Sequence, residues 1–236
     1  MTENMKCWGV IPAAGTGQRM RSECPKQYLK IAGKTLLEHA VASLLEHPSI
    51  ESVMVAVHAE DKHFETCAFD AERVHHTLGA GTRAASVFNA LRALASKYPV
   101  RANDFVCVHD AARPCLSKAD LTALITAAQA SENGCILATP MQDTVKAVVD
   151  DKIQKTLDRS GLWRALTPQM MRYQRLYDSL KRALVDQVLI TDEASALEYS
   201  GYQVEVVAGD QCNIKVTTAT DLPLAEMILK DMQAEH

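Results

Sequence analysis

The stretch "VIPAAGTGQRMRSECPKQY", Val10 to Tyr28, decides how this chain is read. An apolar run of strand character ends at Pro12, and Ala13, Ala14, Gly15, Thr16 and Gly17 then present little but backbone. Side chains this small let main-chain N–H groups come close to an anion, and successive N–H groups form a concave nest for phosphate oxygens. Cations follow: Arg19 can hold two phosphate oxygens with one guanidinium, and Lys26, after Pro25, supplies a mobile point charge. The loop is not a dinucleotide fingerprint, because Met20 stands where a third glycine belongs after Gly15-x-Gly17, and no Gly-Lys-Ser/Thr makes it a P-loop. Two readings remain, a phosphate site or a glycine-rich turn with solvated charges. Arg19 and Lys26 in register behind the bare loop favour the first.

Outward from this loop, strand-like and helix-like patterns alternate. Short apolar or β-branched runs at 7–11, 52–57, 104–108 and 135–138 predict strands, and helical patterns lie between them at 35–46, 82–97 and 118–131. Strands apolar on both faces and separated by helices predict a mostly parallel, Rossmann-like α/β sheet flanked by helices. In such sheets ligands sit beyond the carboxyl ends of the strands. Further helices are expected at 172–185, 192–199 and 221–232, and a strand at 203–207. The segment 144–158 has two β-prone runs around Asp150-Asp151-Lys152, a turn signal, and predicts a protruding β-hairpin arm. An isolated hairpin is barely stable in water. The arm, 140–161, is therefore expected to pack on a second copy in a homodimer; lying back on its own domain is the alternative. With no repeat or low-complexity linker, 1–236 is expected to form one domain plus this arm.

Composition narrows the function classes. The chain has 236 residues, 47% hydrophobic and 23% charged, enough to bury a core without disulfides or metals. A net charge of −4 provides no general basic face for nucleic acid, so an anion must be held by a local cluster of cations. No apolar run of about 18 residues predicts a membrane span, and the polar first six residues lack a secretory apolar region. Seven scattered cysteines without CxxC or zinc spacing predict reduced thiols and a cytoplasmic protein. His75-His76 lacks a third ligand and reads as surface.

Other clusters also follow strand patterns. Asp110, in "VCVHDAARP" (106–114), can hold a divalent metal that bridges phosphates or accept hydrogen bonds from a ribose, with small residues such as Ala111 leaving room for a sugar. Alternatively it pairs with Arg113 and only staples the loop. His109 reads as structural. The segment 79–86 opens a helix, whose N-terminal N–H groups either meet a ligand or are simply capped. Lys215, in the apolar strand-like run 214–216, is an edge charge or a buried cation aimed at phosphate. Thr191 precedes Asp192 and Glu193 and could be a plain helix N-cap.

The glycine loop with "PKQY" is similar to the signature of nucleotidyltransferases that join a nucleoside triphosphate to a sugar phosphate. Together with "VCVHDAARP", "TPQ" (167–169), "TDEASALEY" (191–199) and "NIKVTT" (213–218), it makes the chain resemble the 2-C-methyl-D-erythritol 4-phosphate cytidylyltransferases of non-mevalonate isoprenoid synthesis, over about Trp8 to Glu226. The resemblance implies the nucleotidyltransferase fold, CTP and methylerythritol phosphate as substrates, and magnesium near Asp110. It places the nucleotide against Pro12–Gly17, Asp110, Ala111 and Arg113, and the cytosine ring against Ala80, Gly81 and Ser86, with Ala80 standing where the family usually has glycine. It gives Thr144, Arg159, Thr167 and Thr191 to the methylerythritol phosphate, Arg159 reaching across a dimer, and makes Arg19, Lys26, Arg159 and Lys215 catalytic. Ribitol-5-phosphate cytidylyltransferase is the nearest alternative, and a nucleotide-binding module without chemistry is another.

Overall fold

The computed structural model describes residues 5–15 and 24–234. Its centre is a seven-stranded sheet built from β1 (Cys7–Ala13), β4 (Ile50–Val57), β5 (Val74–Leu78), β6 (Phe105–Val108), β7 (Gly134–Pro140), β10 (Trp163–Arg172) and β11 (Glu205–Ala208), in the order β11-β7-β10-β6-β1-β4-β5. All neighbours are parallel except β10, which runs antiparallel to both β6 and β7. Two short pairs stand apart: β2 (Lys30–Ile31) with β3 (Lys34–Thr35), and β8 (Lys146–Val149) with β9 (Lys152–Thr156). The helices are α1 (Leu36–Leu45), α2 (Arg83–Lys97), α3 (Lys118–Ala130), α4 (Tyr173–Val185), α5 (Glu193–Tyr199) and α6 (Asp221–Ala234).

Strand alternation sorts the core into two layers. Cys7 and Ile11 of β1, Val53 and Val55 of β4 and Phe105 of β6 face α1 and α3. Their neighbours Trp8, Val10, Met54, Ala56 and Val106 face α2, α4 and α5. Because both faces are covered, these strands read as continuous apolar runs rather than as an alternating pattern. The helix boundaries follow local capping chemistry. Thr35 and Glu38 form a reciprocal capping box at α1, and Thr82 and Ser117 cap α2 and α3 through their hydroxyls.

Three segments depart from their local sequence signals. The strand β10 was not anticipated: Thr167 is its only β-branched residue and Pro168 removes a ladder donor, which the sheet accommodates as an irregularity in the β10–β7 register between Ala165 and Gln169. The run 214–216 is not a strand; it is an extended loop tied in by Val216 N–H donating to the Ala112 carbonyl at 2.8 Å. Thr191 is not the cap of α5. Asp192 is, accepting from Ser195 N–H through its side chain. The hairpin forms its own two-stranded sheet as expected, turning at Asp150 and Asp151 with φ of 48° and 60°, the positive pair that a two-residue hairpin turn demands.

Strand order reverses at β1, whose chain continues to β4 on one side while β6 pairs on the other. The crevice beyond the carboxyl ends at such a point is where open α/β sheets bind ligands.

Candidate active site

A cleft of about 700 Å³ opens there, in the size range of small-molecule sites. One wall is the bare turn Pro12, Ala13, Ala14 and Gly15 at the end of β1, and the facing wall is Gly79, Ala80 and Gly81 at the end of β5. The two loops touch. A Cβ on Gly79 would lie 2.4 Å from the Ala14 Cβ, so only glycine lets these backbones meet. Ala80 and Gly81 have no positive φ, and alanine at 80 is therefore unstrained. Ser86, one turn into α2, folds back on this loop, its Oγ accepting from Ala80 N–H at 2.9 Å. Capping and cleft wall are thus the same segment. Gln27 fixes the first loop from beneath, donating to the carbonyls of Ala13 (2.8 Å) and Gly15 (3.3 Å).

The cationic side chains come from far apart in sequence. Lys26 and Lys215 both line the cleft, and Lys26 Nζ donates to the Val216 carbonyl at 3.0 Å, tying the two segments together. At the floor Asp110 meets three cations: Lys215 Nζ at 2.7 Å, Arg83 Nε at 3.1 Å and Arg113 Nε at 3.7 Å. Burial pushes the Asp110 carboxyl up, but Arg83, Lys215 and Arg113 outweigh it and hold it well below the usual carboxylate range. Arg83 in turn makes a bidentate contact, 2.6 and 3.0 Å, to the buried Glu193 at the start of α5. Gln169 of β10 clamps the same helix start, donating to Asp192 Oδ2 at 2.9 Å and accepting from Ala194 N–H at 3.0 Å.

Behind Asp110 the hydrogen bonds assign a tautomer. The Arg113 carbonyl can only accept, so His109 Nε2, 2.9 Å away, carries the proton. Nδ1 then accepts the Thr167 hydroxyl at 3.0 Å, and that oxygen accepts Asp110 N–H at 3.0 Å. His109 is fully buried, and burial lowers its pKa to about 4. A depressed folded pKa favours the neutral ring, so its stabilisation is complete above the unfolded value near 6.5 and is lost as pH falls from there towards 4, roughly 3 kcal/mol in all. Urea unfolding at pH 7 and pH 4.5 is expected to show most of this loss in the wild type and a flatter response in His109→Gln. Equal slopes in the two proteins would contradict the assignment.

Of the residues anticipated from sequence, Pro12, Ala13, Ala14, Gly15, Lys26, Ala80, Gly81, Ser86, Asp110, Ala111 and Lys215 line one cleft. Thr16, Gly17 and Arg19 lie outside the described residues. Arg113 is buried against Asp110 and donates to the Asn213 carbonyl at 2.7 Å, so loop stapling and the site coexist. Thr167 sits beneath Asp110 rather than at the cleft wall. Thr144 and Arg159 are exposed at the arm, where Arg159 donates to the Gln142 carbonyl, and Thr191 is exposed beside Ser195. Sequence reading missed Gln27, Gly79, Arg83, Gln169 and Glu193. Arg83 and Glu193 occupy the first turns of α2 and α5, but their pairing spans 110 residues and leaves no local trace.

Comparison with known proteins decides the family. The family model for 2-C-methyl-D-erythritol 4-phosphate cytidylyltransferase matches residues 7–231. This chain belongs to that family. Relatives of the same name include one from Vibrio cholerae, 49% identical over 93% of this chain and 94% of its own, and one from Tolumonas auensis, 43% identical over 96% and 97%. Among solved structures, a 4-diphosphocytidyl-2C-methyl-D-erythritol synthase superposes with a TM-score of 0.84 at 35% identity, covering 97% of this chain and all of that one. The cytidylyltransferase from Francisella tularensis superposes at 0.81 with 34% identity, covering 94% and 99%. The cytidylyltransferase family thus accounts for the mostly parallel sheet and for nearly the whole chain.

Proposed function

We propose that this chain transfers CMP from CTP to 2-C-methyl-D-erythritol 4-phosphate, giving 4-diphosphocytidyl-2-C-methyl-D-erythritol and pyrophosphate. The observation that carries this reading is the convergence of Lys26 and Lys215, 189 positions apart, on one cleft walled by bare backbone. The nucleotide phosphates lie over residues 12–17 and the cytosine ring against Ala80, Gly81 and Ser86. The acceptor phosphate oxygen attacks the α-phosphorus in line, and the bond to the β-phosphate oxygen breaks as pyrophosphate leaves. No covalent enzyme intermediate is needed, because the nucleophile is already an anion. The chain supplies alignment and charge: Arg19, Lys26 and Lys215 around the crowded phosphorus, and Arg159 with Thr144 and Thr191 for the acceptor, while Thr167 acts from beneath by holding Asp110.

Magnesium would be held at Asp110, where it would neutralise triphosphate charge. Among the described residues no group of three His, Cys, Asp or Glu is placed to hold a metal, and Asp110 Oδ2 already contacts Lys215 at 2.7 Å. A lone carboxylate of this kind suits an ion carried in by the triphosphate, with most ligands from phosphate and water, rather than a metal resident in the protein.

The chain is read as one unit, 1–236, that dimerises through the arm 140–161 and brings Arg159 to the neighbour's cleft. Support comes from the arm's exposed Val148, Val149 and Ile153, together with Trp163 at its base. No helix among the described residues is long and apolar enough to cross a membrane, and all seven cysteines are free, which agrees with a reducing, cytoplasmic setting.

A panel of the four nucleoside triphosphates against methylerythritol phosphate and ribitol 5-phosphate, scored by pyrophosphate release, tests the reading. Release is expected only with CTP and methylerythritol phosphate. Turnover with ribitol phosphate would transfer the assignment to that acceptor, and nucleotide binding with no turnover would mark a regulatory module.

A further inference from the structure

The two oxygens of Asp110 are divided between partners. Oδ1 faces Arg83 Nε at 3.1 Å, while Oδ2 faces Lys215 Nζ at 2.7 Å and Arg113 Nε at 3.7 Å. Arg83 cannot pivot freely towards either side, because its two terminal nitrogens are engaged by both oxygens of Glu193, which is 1% exposed. Glu193 is itself set by the α5 start that Gln169 clamps to β10. A rigid line of contacts therefore runs from β10 through α5 and Arg83 to one oxygen of Asp110, leaving the other to the lysine. Lys215, with its side chain 42% exposed, is tied among the described residues to the other oxygen of Asp110 at 2.7 Å.

We propose that Arg83, anchored by Glu193, is a positioning residue: by reserving one oxygen of Asp110 it determines where the Lys215 ammonium stands in the cleft. The inference rests on the cytidylyltransferase reading, in which Lys215 meets developing charge on phosphorus. A guanidinium is required because one planar fork must serve two carboxylates at once, which a point-charge ammonium does not do. Removing it frees Asp110 to turn, and a displacement of about 1 Å in a charge-stabilising group can cost on the order of 10²-fold in rate.

The test is a cycle of Arg83→Gln, Lys215→Ala and the double variant, assayed by pyrophosphate release from CTP and methylerythritol phosphate, with melting curves on each. Arg83→Gln is expected to lower kcat by about 10²-fold. In the Lys215→Ala background the same change is expected to cost under about 3-fold, since Arg83 acts through Lys215. Glu193→Gln, close in size, is expected to shift kcat in the same direction with the same non-additivity, and it carries the test if Arg83→Gln does not fold. Losses that multiply in the double variant, or an unchanged kcat in a folded single variant, overturn the proposal. A wild-type protein that releases no pyrophosphate sinks the underlying reading instead, so the two failures are distinguishable.

Discussion

Lys215→Ala is expected to lower turnover by about 10²–10³-fold while the protein stays folded, the usual consequence of removing one preorganised donor from a developing oxyanion. The magnitude has a physical basis. A unit charge about 4 Å from a phosphate oxygen, at an effective dielectric near 20, contributes roughly 4 kcal/mol, and the floor of this cleft is already charged and partly dry. Lys215 is half-exposed, so the melting temperature is expected to stay within a few degrees. Lys26→Ala is expected to reduce turnover to a similar extent, with an added loosening of the 213–216 loop because its hydrogen bond to the Val216 carbonyl goes too. Steady-state pyrophosphate release with a parallel thermal melt checks both. Near-normal turnover in both variants would remove the chemical basis of the site.

The largest stability effect is expected at Asp110→Ala. This carboxylate is the shared counter-ion of Arg83, Arg113 and Lys215. Lys215 can swing to water and Arg83 keeps Glu193, but Arg113 is buried and its Nε has no hydrogen-bond partner to fall back on. Leaving an uncompensated buried cation costs about 3–5 kcal/mol. For a chain of this length that corresponds to a fall in melting temperature on the order of 10 °C, together with loss of turnover. Asp110→Asn keeps the shape and is expected to lose less stability and nearly as much activity. A melting temperature unchanged within about 2 °C for Asp110→Ala would show that the network does not hold the loop.

Much of the fold and some of the site were legible in the sequence because the signals were local. Thr35, Thr82 and Ser117 mark helix starts through bonds that span three residues. The hairpin was visible from its turn pair, and the run of small residues at 12–15 marks a cleft wall of little but backbone. Strand β10 stayed hidden: a strand exposed at its start, buried on both sides over 166–171, interrupted by Pro168 and poor in β-branched residues, has no periodicity of its own, and only pairing with β6 and β7 makes it a strand. Lys215 lines the cleft, but not from the strand its apolar neighbours suggest, since its segment is held by Ala112 and Lys26 rather than by a sheet.

The sequence by itself determined the layered α/β plan, the bare turn after β1 and the supply of cations, because capping, burial pattern and backbone exposure act over a few neighbouring residues. Only the tertiary structure decided which charges share a space. Arg83, Glu193, Asp110 and Lys215 lie up to 132 positions apart and meet beyond the carboxyl ends of the parallel strands, and Coulomb energy depends on distance in space rather than on separation along the chain.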